Sequence, residues 1–335
     1  MPETLKKRPP KDRKLSAPFQ VLSLSGGGYR GLFSAVIIEE LEDRAGRPLR
    51  ECFDLIAGTS IGGIIACGIA AGIPAATIRR EFEARGSDIF GSRLKLPFGL
   101  SVRFSKFGLV GSRYSREGLA AAVEGTLGEA ADTKIGNIRK PLVVTAVSAT
   151  NGMPVLFDSR VPGSMNEVTL RDVALSTSAA PTYFPEFNIR GNSLVDGGII
   201  ANAPDTVAVI KAMSNFGQRP EEIRVLSIGT AGAATGEVFK DGRSAGVLKW
   251  MIGRNLFGLT VGAQQELSVE LVRSLLGKRY LRIDIAPDAA RAKAVALDKA
   301  DTKATVTLLQ LATEAIDEAD RTRGADLASL LRHIA

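Results

Sequence analysis

The chain has 335 residues, 45% of them apolar, with 43 Lys and Arg against 36 Asp and Glu, a formal charge of +7. That is enough apolar material for a globular protein with a substantial core, and the positive balance favours anionic partners such as acidic lipid or nucleotide phosphates. Two cysteines, Cys52 and Cys67, and one histidine, His333, exclude a disulfide framework and a His/Cys metal cluster, and they point to a reducing compartment.

Residues 1–18, MPETLKKRPPKDRKLSAP, lack the apolar core of a secretory signal and read as a flexible basic arm ahead of a single domain over 19–335. FQVLSLS (19–25) is a β-prone run that stops at GGGYRG, after which Leu32, Phe33, Val36, Ile37 and Leu41 recur at helical spacing until Gly46 and Pro48. CFDLIAG repeats the strand signal, and Ile61 to Ala71 forms a helix ended by Gly72 and Pro74. The stretch IGGIIACGIAAGIPAA is shorter than the ~20 residues of a membrane span and is broken by glycine and proline. Two strand-turn-helix units in succession imply a sheet with a parallel core.

Between Asp88 and Glu117 there is no acidic residue, while Arg93, Lys95, Arg103, Lys106, Arg113 and Arg116 interleave with Phe90, Phe98, Phe104, Phe107 and Tyr114. A surface excursion over 89–116, a cap or lid, is expected, with a solvated loop as the plainer alternative. Its Arg93, Lys95, Arg103, Lys106, Arg113 and Tyr114 are candidates for an anionic headgroup or a nucleotide. Further strands are expected at 141–149, 154–159, 223–229 and 280–286, alternating with helices such as Pro204 to Met213, so the fold class is α/β. GVLKWMIGRNLFGLTVGAQQE (246–266) presents an apolar face edged by Lys249 and Arg254, which suits a lipid-facing lid, a subunit contact or a core helix. Two closing helices are expected over 302–334, separated at Gly324.

Gly58-Thr59-Ser60-Ile61-Gly62 has the G-x-S-x-G form of a nucleophile elbow, where Gly58 and Gly62 permit a sharp turn that exposes the serine between strand and helix. An attacking serine needs a base, and His333, near the chain end on a helix expected to fray at the surface, is poorly placed to serve. The base is then a carboxylate or a lysine. LVDGGIIANAP (194–204) offers Asp196, which follows an apolar strand and precedes Gly197 and Gly198; burial would raise its pKa toward the working range. The backbone N–H groups of Gly27 and Gly28 form an anion nest for a tetrahedral oxyanion, and Arg30 adds fixed charge. Gly26, Gly28 and Gly31 also fit a dinucleotide fingerprint, but the next strand ends in Ala57-Gly58-Thr59-Ser60 without the acid that would hold a ribose.

GGGYRG, GTSIGG and DGG in this order, with STSAAPTYFP (176–185), resemble the patatin-like phospholipase family over roughly residues 20 to 230. The resemblance implies a three-layer α/β/α sandwich with a central, largely parallel sheet, a catalytic dyad of Ser60 and Asp196, and an oxyanion hole of Gly26, Gly27 and Gly28 with Arg30. It implies metal-independent hydrolysis of acyl esters in membrane phospholipids, with STSAAPTYFP along the acyl groove. Within the family the same segments most resemble the CapV-type effectors of cyclic-oligonucleotide (CBASS) anti-phage signalling. That likeness implies a cytoplasmic homo-oligomer acting on the inner membrane surface once a cyclic dinucleotide such as 3′,3′-cyclic GMP-AMP binds, with no DNA or RNA partner. A constitutive lipid acyl hydrolase and a neutral-ester lipase are the alternatives.

Overall fold

In the computed structural model, residues 18–91, 112–232 and 256–335 are described. The basic arm, the candidates Arg93, Lys95, Arg103 and Lys106, and the first half of the 246–266 segment, with Lys249 and Arg254, lie outside the described residues.

In chain order the elements are β1 (Phe19–Leu24), α1 (Gly31–Ala45), β2 (Leu55–Thr59), α2 (Ile61–Ala71), α3 (Ala75–Gly91), α4 (Arg116–Leu127), β3 (Leu142–Ser148), β4 (Pro154–Asp158) and α5 (Leu170–Thr177). They continue with β5 (Phe187–Ile189), β6 (Asn192–Asp196), α6 (Gly198–Ala201), α7 (Asp205–Phe216), β7 (Ile223–Ile228), α8 (Leu256–Leu276), β8 (Tyr280–Ile283), α9 (Ala289–Ala292) and α10 (Thr302–Arg332). The strands form one mixed sheet in the order β5-β6-β3-β2-β1-β7-β8, with β4 on β3. The five strands from β3 to β8 along that path run parallel, and β4, β5 and β6 supply the antiparallel pairs.

Alternation along each strand sends its apolar residues to two clusters. Leu22, Ile56, Val144 and Leu226 join the helices α1 to α5 and α10 on one face, whereas Val21, Ala57, Val143 and Val225 meet α7 and α8 on the other. This is the three-layer arrangement that the resemblance implies.

Two expected boundaries move. α3 runs to Gly91 and α4 opens at Arg116, so the ends of the expected excursion are helical. The reason is packing: Ile78, Phe82 and Ile89 are all buried at helical spacing, so the apolar face of α3 carries past the expected boundary at 89. The two closing helices are joined end to end in α10, with a break at Arg323, where φ is −142°, next to Gly324.

The start of α2 lies against the end of β1, and a Cβ on Gly62 would strike the carbonyl of Leu24 and come within 2.6 Å of that of Ser25. Gly46, the left-handed end of α1 at φ 63°, has nothing within 4 Å of its Cβ position. Gly62→Ala is therefore expected to cost stability at or above the upper end of the ~1–3 kcal/mol range of overpacked cores, against ~1 kcal/mol for Gly46→Ala. Urea unfolding of the two variants side by side checks the order, and equal midpoints would show that α2 can shift away from β1.

Candidate active site

Strand β3 brings the two candidate catalytic groups together. Thr59, the last residue of β2, pairs with Thr145, and Asp196, the last residue of β6, pairs with Ala146, the next position along β3. Ser60, which follows Thr59, thus meets Asp196 across 136 residues of sequence, and its Oγ donates a 2.6 Å hydrogen bond to Asp196 Oδ2. Ser60 sits at φ 55° and ψ −128°, backbone that a non-glycine residue holds only under constraint. Part of that constraint is Thr177: its Oγ1 accepts the Ser60 N–H at 2.8 Å and donates to the Thr145 carbonyl at 2.6 Å. α2 begins at the next residue, so its positive end and unpaired first N–H groups lie at the serine.

Asp196 is only 4% exposed. Burial raises its pKa from 3.8 to about 6, against the lowering effect of the hydrogen bonds from Ser60 and from the Gly198 N–H, which reaches Oδ1 at 2.7 Å. Gly197 has no room for a side chain because the Thr145 hydroxyl and carbonyl occupy the space. The Asp-Gly-Gly turn therefore fits only with glycine in its first Gly position.

The glycine loop between β1 and α1 forms the neighbouring wall. Gly26 is tied to Asn202 in both directions, its N–H to the Asn202 carbonyl at 2.9 Å and its carbonyl to Asn202 Nδ2 at 3.2 Å. Gly28 stands at φ 58°, and a Cβ there would strike the Leu297 carbonyl. That carbonyl accepts the Tyr29 N–H at 2.8 Å, while the N–H groups of Gly27 and Gly28 have no acceptor among the described residues. Two adjacent free donors beside a serine are what an oxyanion requires.

Ser60, Asp196, Gly26, Gly27, Gly28 and Arg30 line one cavity of about 850 Å³. Its apolar part is built by Ile61, Ile89, Phe90, Leu119 and Phe184, with α8 contributing Leu259 and Val261. Ser178, from the STSAAPTYFP segment, also lines it, with its Oγ buried and unpartnered among the described residues. Arg30 stands in the wall; burial draws its pKa down and Asp284 acts against that. Among the described residues no group of three or more His, Cys, Asp or Glu is placed to hold a metal ion, and no helix is long and apolar enough to cross a membrane.

Arg113 is ion-paired with Asp298 and lies over the Tyr183 ring at 4.9 Å. Two expectations need correction. Tyr114 is 6% exposed, donates to Asp298 Oδ2 at 3.0 Å and packs edge-on to Phe90; it offers no open face to a ligand. His333 is not a frayed surface residue, since its side chain is 12% exposed with Nε2 at 2.9 Å from Asp54 Oδ2. Asp54 precedes β2 and Ser60 follows it, so the imidazole's partner and the serine stand at opposite ends of a strand, roughly 20 Å apart along it. Thr177, Asn202 and Gln265 lie inside the segments STSAAPTYFP, DGGIIANAP and 246–266 but carry no motif of their own, and Thr230 lies outside all of them.

Residues 22–209 match the family described as patatin-like phospholipase. The chain is 36% identical over 302 residues to a cGAMP-activated phospholipase of Pseudomonas aeruginosa, a match covering 87% of this chain and 85% of the relative. It is 31% identical over 307 residues to a protein of the same description from Escherichia coli, covering 84% of each. A third, from Vibrio cholerae, is 30% identical over 279 residues, 77% of this chain and 78% of the relative.

The Asp196 pKa fixes a sign for stability. A carboxyl whose folded pKa lies above its unfolded value costs stability when ionised, here up to ~3 kcal/mol above pH 6, and the cost vanishes as pH falls through about 6 toward 4. Asp196→Asn should then be more stable than the wild type at pH 8 by ~1–3 kcal/mol, with the gain shrinking toward pH 4. Denaturant unfolding at both pH values tests this, and a gain independent of pH would contradict it.

Proposed function

The chain belongs to the patatin-like phospholipase family, and on that premise we propose that it hydrolyses acyl esters of membrane phospholipids with Ser60 as nucleophile and Asp196 as general base. The observation that carries this reading is the 2.6 Å hydrogen bond between Ser60 Oγ and Asp196 Oδ2 inside the cavity. Ser60 Oγ attacks the acyl carbonyl carbon as its proton passes to Asp196. The N–H groups of Gly27 and Gly28 receive the oxyanion, with the Arg30 charge nearby. Collapse expels the lysolipid, protonated by Asp196, and leaves the acyl group on Ser60. A water that gives its proton to Asp196 then bonds to the acyl carbon, and the fatty acid leaves as Asp196 returns the proton to Ser60 Oγ. With a pKa of about 6, Asp196 is mostly ionised at neutral pH and more basic than a solvated carboxylate. The apolar part of the cavity suits an acyl chain.

Activation by a cyclic dinucleotide is supported by the descriptions of the bacterial relatives as cGAMP-activated, and an anti-phage role is what the sequence resemblance adds. A ligand activates only by binding the active form more tightly than the resting one.

Ser60→Ala and Asp196→Asn are each expected to lower kcat/KM on a soluble ester by ~10⁴-fold or more, with the double variant no worse, because the two groups act as one unit. His333→Ala should keep its activity. Fatty acid release from phosphatidylglycerol or phosphatidylethanolamine vesicles should rise about tenfold or more with 3′,3′-cyclic GMP-AMP. Equal release with and without the nucleotide leaves the constitutive lipid acyl hydrolase, and near-wild-type turnover in a folded Ser60→Ala variant ends the dyad reading.

A further inference from the structure

Behind the glycine loop lies a second loop, residues 229–232, which leaves the end of β7. Thr230 fills the space that a Cβ on Gly27 would take, and its Oγ1 donates to the Gly26 carbonyl at 3.2 Å. The position of Thr230 depends on Ala231, whose φ of 52° is left-handed and costly for a residue with a side chain. Asp284, one residue beyond β8, holds it there: Oδ1 accepts the N–H of Ala231 at 3.0 Å and that of Ile285 at 3.0 Å. Gly229 makes the approach possible, since a Cβ there would run into the Asp284 carboxylate.

Asp284 is itself anchored. Its Oδ2 accepts from Arg282 Nη2 at 2.6 Å, and Arg282 Nη1 donates to Ser227 Oγ at 2.7 Å and to Ser25 Oγ at 3.3 Å. Ser25 directly precedes Gly26. Two arms thus reach from the end of β8 to the glycine loop, one through Ala231 and Thr230 and one through Ser25.

We propose that Asp284, anchored by Arg282, is a positioning residue for the oxyanion donors: it holds Ala231 in its left-handed conformation, which seats Thr230 against Gly26 and Gly27 and so fixes the direction of the Gly27 and Gly28 N–H groups. The inference rests on the Ser60–Asp196 reading and adds to it what aims the donors. Donors aimed at the transition state act on kcat and leave ground-state binding nearly unchanged. General damage to the fold has no such selectivity.

The experiment measures kcat and KM on a short-chain p-nitrophenyl ester for the full-length wild type, Ser60→Ala, Asp284→Ala and Asp284→Ala/Ala231→Gly, with folding followed by circular dichroism and thermal unfolding. Asp284→Ala should lower kcat by about 10- to 100-fold with KM changed less than about threefold. Adding Ala231→Gly should restore most of that loss, because glycine holds the left-handed conformation without help from the carboxylate. Should Asp284→Ala not fold, the same comparison is made in Asp284→Ala/Arg282→Met, where neither member of the ion pair is left buried alone. Unchanged kcat in a folded Asp284 variant, or a loss that Ala231→Gly does not repair, overturns the inference. Hydrolysis by Ser60→Ala at the wild-type rate overturns the dyad reading instead.

Discussion

One step of register on β3 governs the site: Thr145 carries the end of β2 and Ala146 carries the end of β6. Because strand residues alternate faces and advance ~3.3 Å each, a slip of either neighbour by one position would turn Ser60 or Asp196 to the wrong side of the sheet. The register is held by polar contacts as well as by the ladder. Thr59 and Thr145 share a 2.7 Å hydrogen bond between their hydroxyls, and Thr59 Oγ1 also reaches the Ala201 carbonyl at 2.6 Å. Thr177 closes the set by bonding both Ser60 and Thr145. Three threonines thus fasten the strand ends to the turns that bear the serine and the aspartate.

The same edge of the sheet concentrates the unfavourable terms of the fold. Ser60 and Ala231 are left-handed without being glycine, Asp196 is ionised while buried, and the Gly27 and Gly28 donors lack acceptors among the described residues. Such features persist only where surrounding structure over-determines them. Here the support is a buried polar network one layer down: Asp205 accepts from Ser23 at 2.5 Å, Ser227 at 3.0 Å and Tyr280 at 2.5 Å. Arg282 joins that network through Ser227, and although burial opposes its charge, Asp284 and Asp205 together raise its pKa. Away from this edge both faces of the sheet are closed mainly by apolar side chains, whose burial is favourable.

How much of this was legible in the sequence follows from how local each feature is. GGGYRG, GTSIGG and DGG could be read because each is a strand end plus glycines, and each glycine answers to a nearby obstruction. The meeting of Ser60 with Asp196 was readable as chemistry but not as geometry, since it depends on the register of β3. The support network is not legible in the sequence because its members are single polar residues in apolar strands, Ser23, Ser227 and Arg282, which only strand pairing brings to one face. α8 is hard to place from sequence because Leu267, Leu271 and Leu275, which are 60%, 53% and 48% exposed, interrupt the exposed Glu270 and Arg273, so its outer face lacks the clean polar pattern by which a surface helix is recognised. His333 looked exposed because terminal residues usually are; Arg47 donates to its carbonyl and Asp54 meets its ring, which ties the end of the chain down.

The proposed dyad asks different things of the fold than a triad would. In a triad an imidazole must be held in one tautomer and orientation by a third group, while its basicity is close to neutral from the start. A carboxylate needs no tautomer, and direct contact with the serine removes one link from the chain of positioning. What it lacks is basicity, which only its surroundings can supply. Burial does so for Asp196, and the Gly198 N–H, though it pulls the pKa back down, fixes Oδ1 so that Oδ2 points at Ser60. Orientation and basicity therefore oppose each other at this residue: each further hydrogen bond to the carboxylate would hold it better and weaken it as a base. One backbone donor on Oδ1 and one serine on Oδ2, in an otherwise desolvated site, is a balance in which the carboxylate stays aimed while its pKa remains near 6.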